Sequence, residues 1–143
     1  MKIGISSTGE NLDANVDQRF GRCKYFIIVD TESMEFEVLS NGSAMAFGGA
    51  GIQAAQTIAR TGAKVVVTGG VGPNAFRTLS AAGMKVFTGA SGTIKESVEK
   101  YKKGELKKFE GKKYKFDEGT LRVWVYPYIK GDGILINKGY KLK

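Results

Sequence analysis

Cys23 is the sole cysteine of the chain, and no histidine accompanies it. It sits in Phe20-Gly21-Arg22-Cys23, just ahead of the apolar run Tyr25-Phe26-Ile27-Ile28-Val29. One thiol without an imidazole excludes several chemistries. A Cys/His zinc site needs about four such ligands. A Cys–His nucleophile pair and a Ser-His-Asp triad both need an imidazole base. What remains is a buried structural thiol, a redox-sensitive thiol, or one ligand to a cluster held partly by something else. Free cysteine is among the most buried residue types, so a core thiol at a strand start is the plain alternative to a ligand. A single thiol cannot fill a cluster's usual four positions. A cluster would need a second protomer, a small-molecule thiol, or ligands of its own.

Two glycine-rich turns supply the other chemistry-bearing pattern. Gly49-Ala50-Gly51-Ile52-Gln53-Ala54 and Gly70-Val71-Gly72-Pro73-Asn74-Ala75 both fit G-x-G-x-x-A. A dinucleotide site would also need an acidic residue about 20 positions on. Those positions hold Thr68 or Gly69 after the first turn and Thr88 or Gly89 after the second. NAD binding is therefore set aside. Glycine-rich turns at helix starts still present backbone N–H groups and a positive dipole end, which favour anions. The simpler reading is that the glycines only allow tight strand-to-helix turns.

The remaining polar residues are less specific. Ser6, Ser7 and Thr8 are hydroxyls with no histidine base. Asp13 and Asp17 lie in a polar stretch where Asx turns account for them. Lys64 and Lys85 read as strand-edge lysines rather than Schiff-base formers. An enzyme is the least supported class.

The elements that must position these residues follow from periodicity. Lys2 to Ser7 reads as a strand, and residues 8–22 as a polar loop. Tyr25 to Val29 reads as a strand buried on both faces, hairpin-paired with Glu35 to Leu39. A helix over Ile52–Arg60 ends at Gly62, and one over Asn74–Ala82 begins behind Pro73 and ends at Gly83. Short strands at Val65–Val67 and Lys85–Phe87 separate them. Thr93 and Glu96 have capping-box spacing for a third helix reaching Lys103. Residues 1–103 thus read β-β-β-α-β-α-β-α, a mixed sheet flanked by helices. Residues 104–120 read as a linker, with further strands near Thr120–Tyr126 and Gly133–Ile136.

The 143 residues fit one domain, or one domain with an appendage, large enough to bury a core without disulfides. A lone cysteine suits a reducing cytoplasm. The N-terminus enters a strand directly with no signal-peptide pattern, and no apolar run reaches the roughly 20 residues of a membrane helix. The net charge is +8, and residues 95–143 hold 14 basic against 7 acidic side chains. That excess could attract a polyanion. Lysine outnumbers arginine 17 to 5, however, which suits a solvated or thermophile-like surface more than a specific base reader.

With these residues in place, the chain resembles the dinitrogenase iron–molybdenum cofactor biosynthesis family. The matching pieces are Val16 to Asp30, Gly48 to Ala55, Val65 to Phe87, and Gly92 to Leu106. The resemblance spans residues 1–106 and leaves 107–143 as a basic extension that can add strands. It implies an α/β domain with a ribonuclease-H-like, five-stranded mixed sheet. It also implies non-enzymatic binding or carriage of an iron–sulfur-type or iron–molybdenum-type cluster or precursor. Members that carry the cofactor typically have a histidine where this chain has Arg19. The residues expected to meet such a cluster are Arg19, Arg22, Gly49, Gly51, Gly70, Gly72 and Asn74, with Cys23 as the metal ligand. The partners implied are cluster-assembly or cluster-accepting proteins, and a second copy of the chain. Two alternatives use the extension instead. One is nucleic-acid binding, with Tyr101, Tyr114, Phe116, Trp124 and Tyr126 as stacking surfaces. The other is protein interaction through an edge strand.

Overall fold

Alternation along the strands decides the layering. In a strand, successive side chains face opposite sides, so a sheet covered on both faces must be apolar at every position. The computed structural model, which describes residues 1–44, 48–111, 113–117, 122–129 and 135–141, follows this rule. Strand β1 (Lys2–Ser7) is buried from Ile3 onward, departing from the rule only at the hydroxyls of Ser6 and Ser7, and β2 (Tyr25–Asp30) is buried from Phe26 to Val29. Phe26 and Ile28 face one core with Val66 and Val86. Ile27 and Val29 face the other, with Ile3, Ile5, Val65 and Val67.

The first of two compact units runs from Met1 to Phe109. Its strands continue with β3 (Phe36–Ser40), β4 (Val65–Val67), β5 (Lys85–Thr88) and β6 (Lys107–Lys108). They form a six-stranded mixed sheet in the order β3-β2-β1-β4-β5-β6. β4 runs parallel to β1 and β5, while β2, β3 and β6 are antiparallel to their neighbours. Ala54, Ala55 and Ile58 of α1 (Ala50–Ala59) and Leu79 of α2 (Pro73–Ala81) fill the first core. Ile94 and Val98 of α3 (Ile94–Lys102) fill the second. The capping box is present, with Thr93 Oγ1 accepting from the Glu96 N–H at 3.1 Å. No helix among the described residues is long and apolar enough to cross a membrane.

Two expectations need correction. The sheet has six strands rather than five. The sixth escapes a periodicity reading because it is only Lys107-Lys108, fixed by its flanks: Phe109 N–H donates to Val86 O at 2.7 Å, and the Phe109 ring meets Phe76 edge-on at 4.9 Å. Nor are residues 104–120 a linker, since they hold β6 and β7 (Lys113–Asp117). The alternation Lys-Tyr-Lys-Phe in β7 is a strand period that its charge conceals.

The second unit, Glu110–Lys143, contains an antiparallel three-stranded sheet, β7-β8-β9, with β8 at Arg122–Ile129 and β9 at Leu135–Lys141. The β8–β9 register shifts between Val125 and Tyr128. Pro127 lies at that shift, where a residue without an N–H is tolerated. Of the expected strand ends, 120, 121, 133 and 134 lie outside the described residues.

Candidate functional site

The segment expected as a polar loop, residues 8–22, is laced to the carboxyl ends of the central strands. Asp17 N–H donates to Ser6 O at 2.8 Å, and Ser6 Oγ donates to Asp17 O at 2.7 Å. Val16 N–H donates to Gly92 O at 2.9 Å. Gln18 Nε2 donates to Ala90 O at 3.1 Å, and Phe20 N–H to Gly70 O at 3.1 Å. Ser6 and Thr68 hydroxyls lie 2.7 Å apart at the ends of β1 and β4, both fully buried. The strand-end crevice that usually receives ligands in open α/β sheets is therefore crossed by this segment.

Its end is a 3-10 turn, Phe20–Arg22. Phe20 is buried and its ring lies 5.2 Å from that of Phe26. This anchors Gly21 directly against the start of α1. A Cβ on Gly21 would stand 2.9 Å from both the Cα and N of Gly51. A Cβ on Gly51 would in turn stand 3.0 Å from Ala75 Cβ in the first turn of α2. Absent side chains thus let the 3-10 turn, the α1 N-terminus and the α2 N-terminus meet.

Where they meet is a cleft of about 340 Å³, lined by Gly21, Arg22, Gly49 to Ile52 and Gly72 to Ala75. Neither helix start has a side-chain cap, and neither carries an acidic residue in its first turn. Helix starts of this kind present N–H groups and partial positive charge, here from two helices at once. Arg22 is exposed at the rim, its Nη1 donating to Ala44 O at 3.0 Å. The arrangement suits an anion of a few atoms' breadth.

The expected site residues divide accordingly. Arg22, Gly49, Gly51, Gly72 and Asn74 line the cleft. Gly70 does not; it accepts the Phe20 N–H and holds the loop. Arg19 is exposed away from the lining, its N–H donating to Asp17 Oδ1 at 2.9 Å.

Cys23 is not part of the cleft lining and has no exposed surface. Its Sγ donates to Phe20 O at 3.2 Å, and Asn41 Nδ2 approaches it at 3.8 Å. Burial pushes the thiol up to about 12, with the Asp17 charge adding to the effect. A neutral, enclosed thiol is a poor ligand and a poor nucleophile. Among the described residues, no group of three or more His, Cys, Asp or Glu side chains could hold a metal ion.

Sequence reasoning missed Asn41, Ser43 and Gln18. Asn41 Nδ2 donates to Gly21 O at 3.2 Å and Cys23 O at 2.9 Å. Its Oδ1 accepts the Ser43 hydroxyl at 2.6 Å, and that hydroxyl also lies 3.1 Å from Ala50 O. This buried pair ties the 3-10 turn to α1. The Asn41-Gly42-Ser43 turn signature was its only visible trace.

The known proteins with which the chain compares agree on the first unit. The profile of the family described as Dinitrogenase iron-molybdenum cofactor matches residues 1–104. The apo form of the orange protein from Desulfovibrio gigas is similar, with TM-score 0.75 and 41% identity, over 77% of this chain and 93% of that one. A NifB-like protein from Thermotoga gives TM-score 0.66 and 38% identity over 77% and 98%. An uncharacterized protein of Methanocaldococcus jannaschii is 28% identical over 114 residues, covering 77% of this chain and 97% of the relative.

Proposed function

The chain belongs to the dinitrogenase iron-molybdenum cofactor family, and from that premise we propose that it binds and carries a metal–sulfur cluster or cofactor precursor as cargo, without catalysing its conversion. The observation that carries this reading is the convergence of two uncapped helix starts and Arg22 on one cleft. Metal–sulfur clusters are commonly anionic, and two dipole ends with a guanidinium match that charge. With Cys23 enclosed and histidine absent from the chain, the cargo keeps its own ligands and is held by charge and backbone N–H groups. The residues present fit an anion already fully coordinated, not one assembled on protein thiolates. The ribonuclease-H-like arrangement that the family resemblance implies is part of the same proposal, and the mixed order β3-β2-β1-β4-β5, with β6 added at its edge, is what supports it. A protein that assembles or accepts clusters is the partner this role requires, in a reducing cytoplasm.

Iron and sulfide content, with the visible spectrum, after anaerobic loading tests the reading. Wild type and Cys23→Ala take up cargo equally, and Arg22→Glu loses most of it. Loss in Cys23→Ala alone restores the thiol as ligand and overturns the charge-held reading. No uptake by any of the three overturns the carrier role.

A further inference from the structure

The second unit has two faces of opposite character, and register alone assigns them. Residues paired across an antiparallel ladder share a face, as do residues two apart on one strand. Lys113, Lys115 and Asp117 of β7 are in register with Tyr126, Trp124 and Arg122 of β8. Arg122 and Trp124 are in turn in register with Lys141 and Gly139 of β9. One face therefore carries Lys113, Lys115, Arg122, Trp124, Tyr126 and Lys141, with Asp117 its acidic member over this stretch. The other carries Tyr114, Phe116, Val123, Val125, Ile136 and Tyr140, with the cationic Lys138 among these mostly apolar residues. An antiparallel sheet covers its apolar face and leaves the polar one to water, so the cationic face is the one left for a ligand.

We propose that this cationic face binds single-stranded nucleic acid, a role separate from the cluster reading. Charge complementarity selects a polyanion, since residues 110–143 carry eight basic and four acidic side chains. The two aromatic residues on the same face select among polyanions. Trp124 and Tyr126 alternate along β8 and are cross-strand neighbours of Lys115 and Lys113. Gly139, the β9 register partner of Trp124, puts no side chain beside it. Cations beside aromatic platforms are what backbone tracking and base stacking require together. A duplex offers no open base face, and an acidic protein has no need of Trp124 and Tyr126. The excess of lysine over arginine fits sequence-tolerant binding, because lysine acts as a point charge and not as a bidentate base reader. The same register corrects an expectation: Tyr114 and Phe116 fall on the opposite face from Trp124 and Tyr126. Tyr101 belongs to the first unit, edge-on to Phe87 at 5.2 Å.

The chain's single tryptophan makes stacking directly readable. Full-length protein is titrated with a labelled oligo-dT of about 15 nucleotides, by anisotropy and Trp124 emission, at about 50 and about 200 mM salt. Binding is expected at the lower salt, with Trp124 quenched and affinity falling as salt rises. Trp124→Ala weakens it about tenfold, while Trp124→Phe, which keeps a stacking ring, retains most of it. Lys113→Ala with Lys115→Ala reduces the logarithmic salt slope by about 1.4. No binding at the lower salt overturns the proposal. So does equal affinity for duplex, or equal competition by polyglutamate, which would leave a charged surface without stacking.

Discussion

The two glycine-rich turns share one pattern, but the second divides its glycines between two ends. Gly49-Ala50-Gly51 rims the cleft and Gly72 lines it from the second turn, whereas Gly69-Gly70 is covered by the loop that crosses the strand ends. Each pattern ends in an alanine, Ala54 or Ala75, that packs in the first core. The difference lies in what each glycine's missing side chain makes room for. At Gly51 it is the adjoining helix start; at Gly69 it is Gln18 of a distant loop. A glycine motif thus specifies close approach, and the neighbour decides whether a ligand or the protein itself fills the space.

The most disruptive way to probe that contrast is Gly69→Ala. The new Cβ would stand 2.5 Å from the Gln18 Cα, a backbone atom that cannot swing aside. Overpacking of this kind costs up to about 3 kcal/mol, measurable as a lowered urea midpoint. A midpoint within about 0.5 kcal/mol of wild type, the range of an ordinary surface substitution, would mean the loop is not clamped there.

Much of this was legible in the chain, and the failures have a common cause. The buried strands, the Pro73 helix start, the Gly62 and Gly83 stops and the Thr93–Glu96 box are local signals, set by residues within a turn of one another. They appear where expected. The family resemblance covered the same first unit that the profile matches. The pairing of Ser6 with Thr68, the seating of Gln18 on Gly69, and the enclosure of Cys23 depend on partners far along the chain. No spacing rule announces them. Of the residues expected at the site, Gly49, Gly51, Gly72 and Asn74 line one cleft because they stand at two helix starts that the fold brings together. Arg19 and Gly70 lie outside that lining: Arg19 precedes the 3-10 turn, and Gly70 accepts the Phe20 N–H that holds the crossing loop.

Gly21→Ala separates clamp from cleft. Its Cβ would press at 2.9 Å on the Gly51 backbone and push the 3-10 turn from the α1 N-terminus. A loss of about 2 kcal/mol is expected, together with most of the cargo uptake, since Arg22 moves with the turn. Stability lost with uptake intact would place the cargo elsewhere.

Cys23 offers a pH test beneath the same turn. Its folded-state pKa lies near 12 against an ordinary 9.0. The thiol is neutral in both states below pH 9, so stability is unaffected there. Above it the unfolded chain releases the proton first, and stability falls between pH 9 and 12 by at most about 1.4 kcal/mol per unit. Cys23→Ala lacks this slope. The stability gap between the two should therefore narrow by about 1 kcal/mol from pH 8 to pH 10 in urea titrations. A parallel pair of curves would mean the thiol is accessible after all, and native-state alkylation at pH 8 would confirm that.

Gly72→Ser has the smallest effect on folding and bears most sharply on the cleft. Gly72 is the α2 N-cap with φ −76° and ψ 166°, extended backbone that serine adopts freely, and a Cβ there meets nothing within 4 Å. A serine hydroxyl at this position accepts from the N–H of Asn74 or Ala75, groups that no side chain caps in the native chain. Folding should gain about 0.5 kcal/mol from the cap and the stiffer unfolded chain. The same hydroxyl takes up an N–H that the cargo would use, so uptake should fall as stability rises. Opposite signs in one variant cannot come from general damage to the fold. A rise in stability with unchanged uptake would remove the α2 start from the site and leave α1 and Arg22 to hold the anion alone.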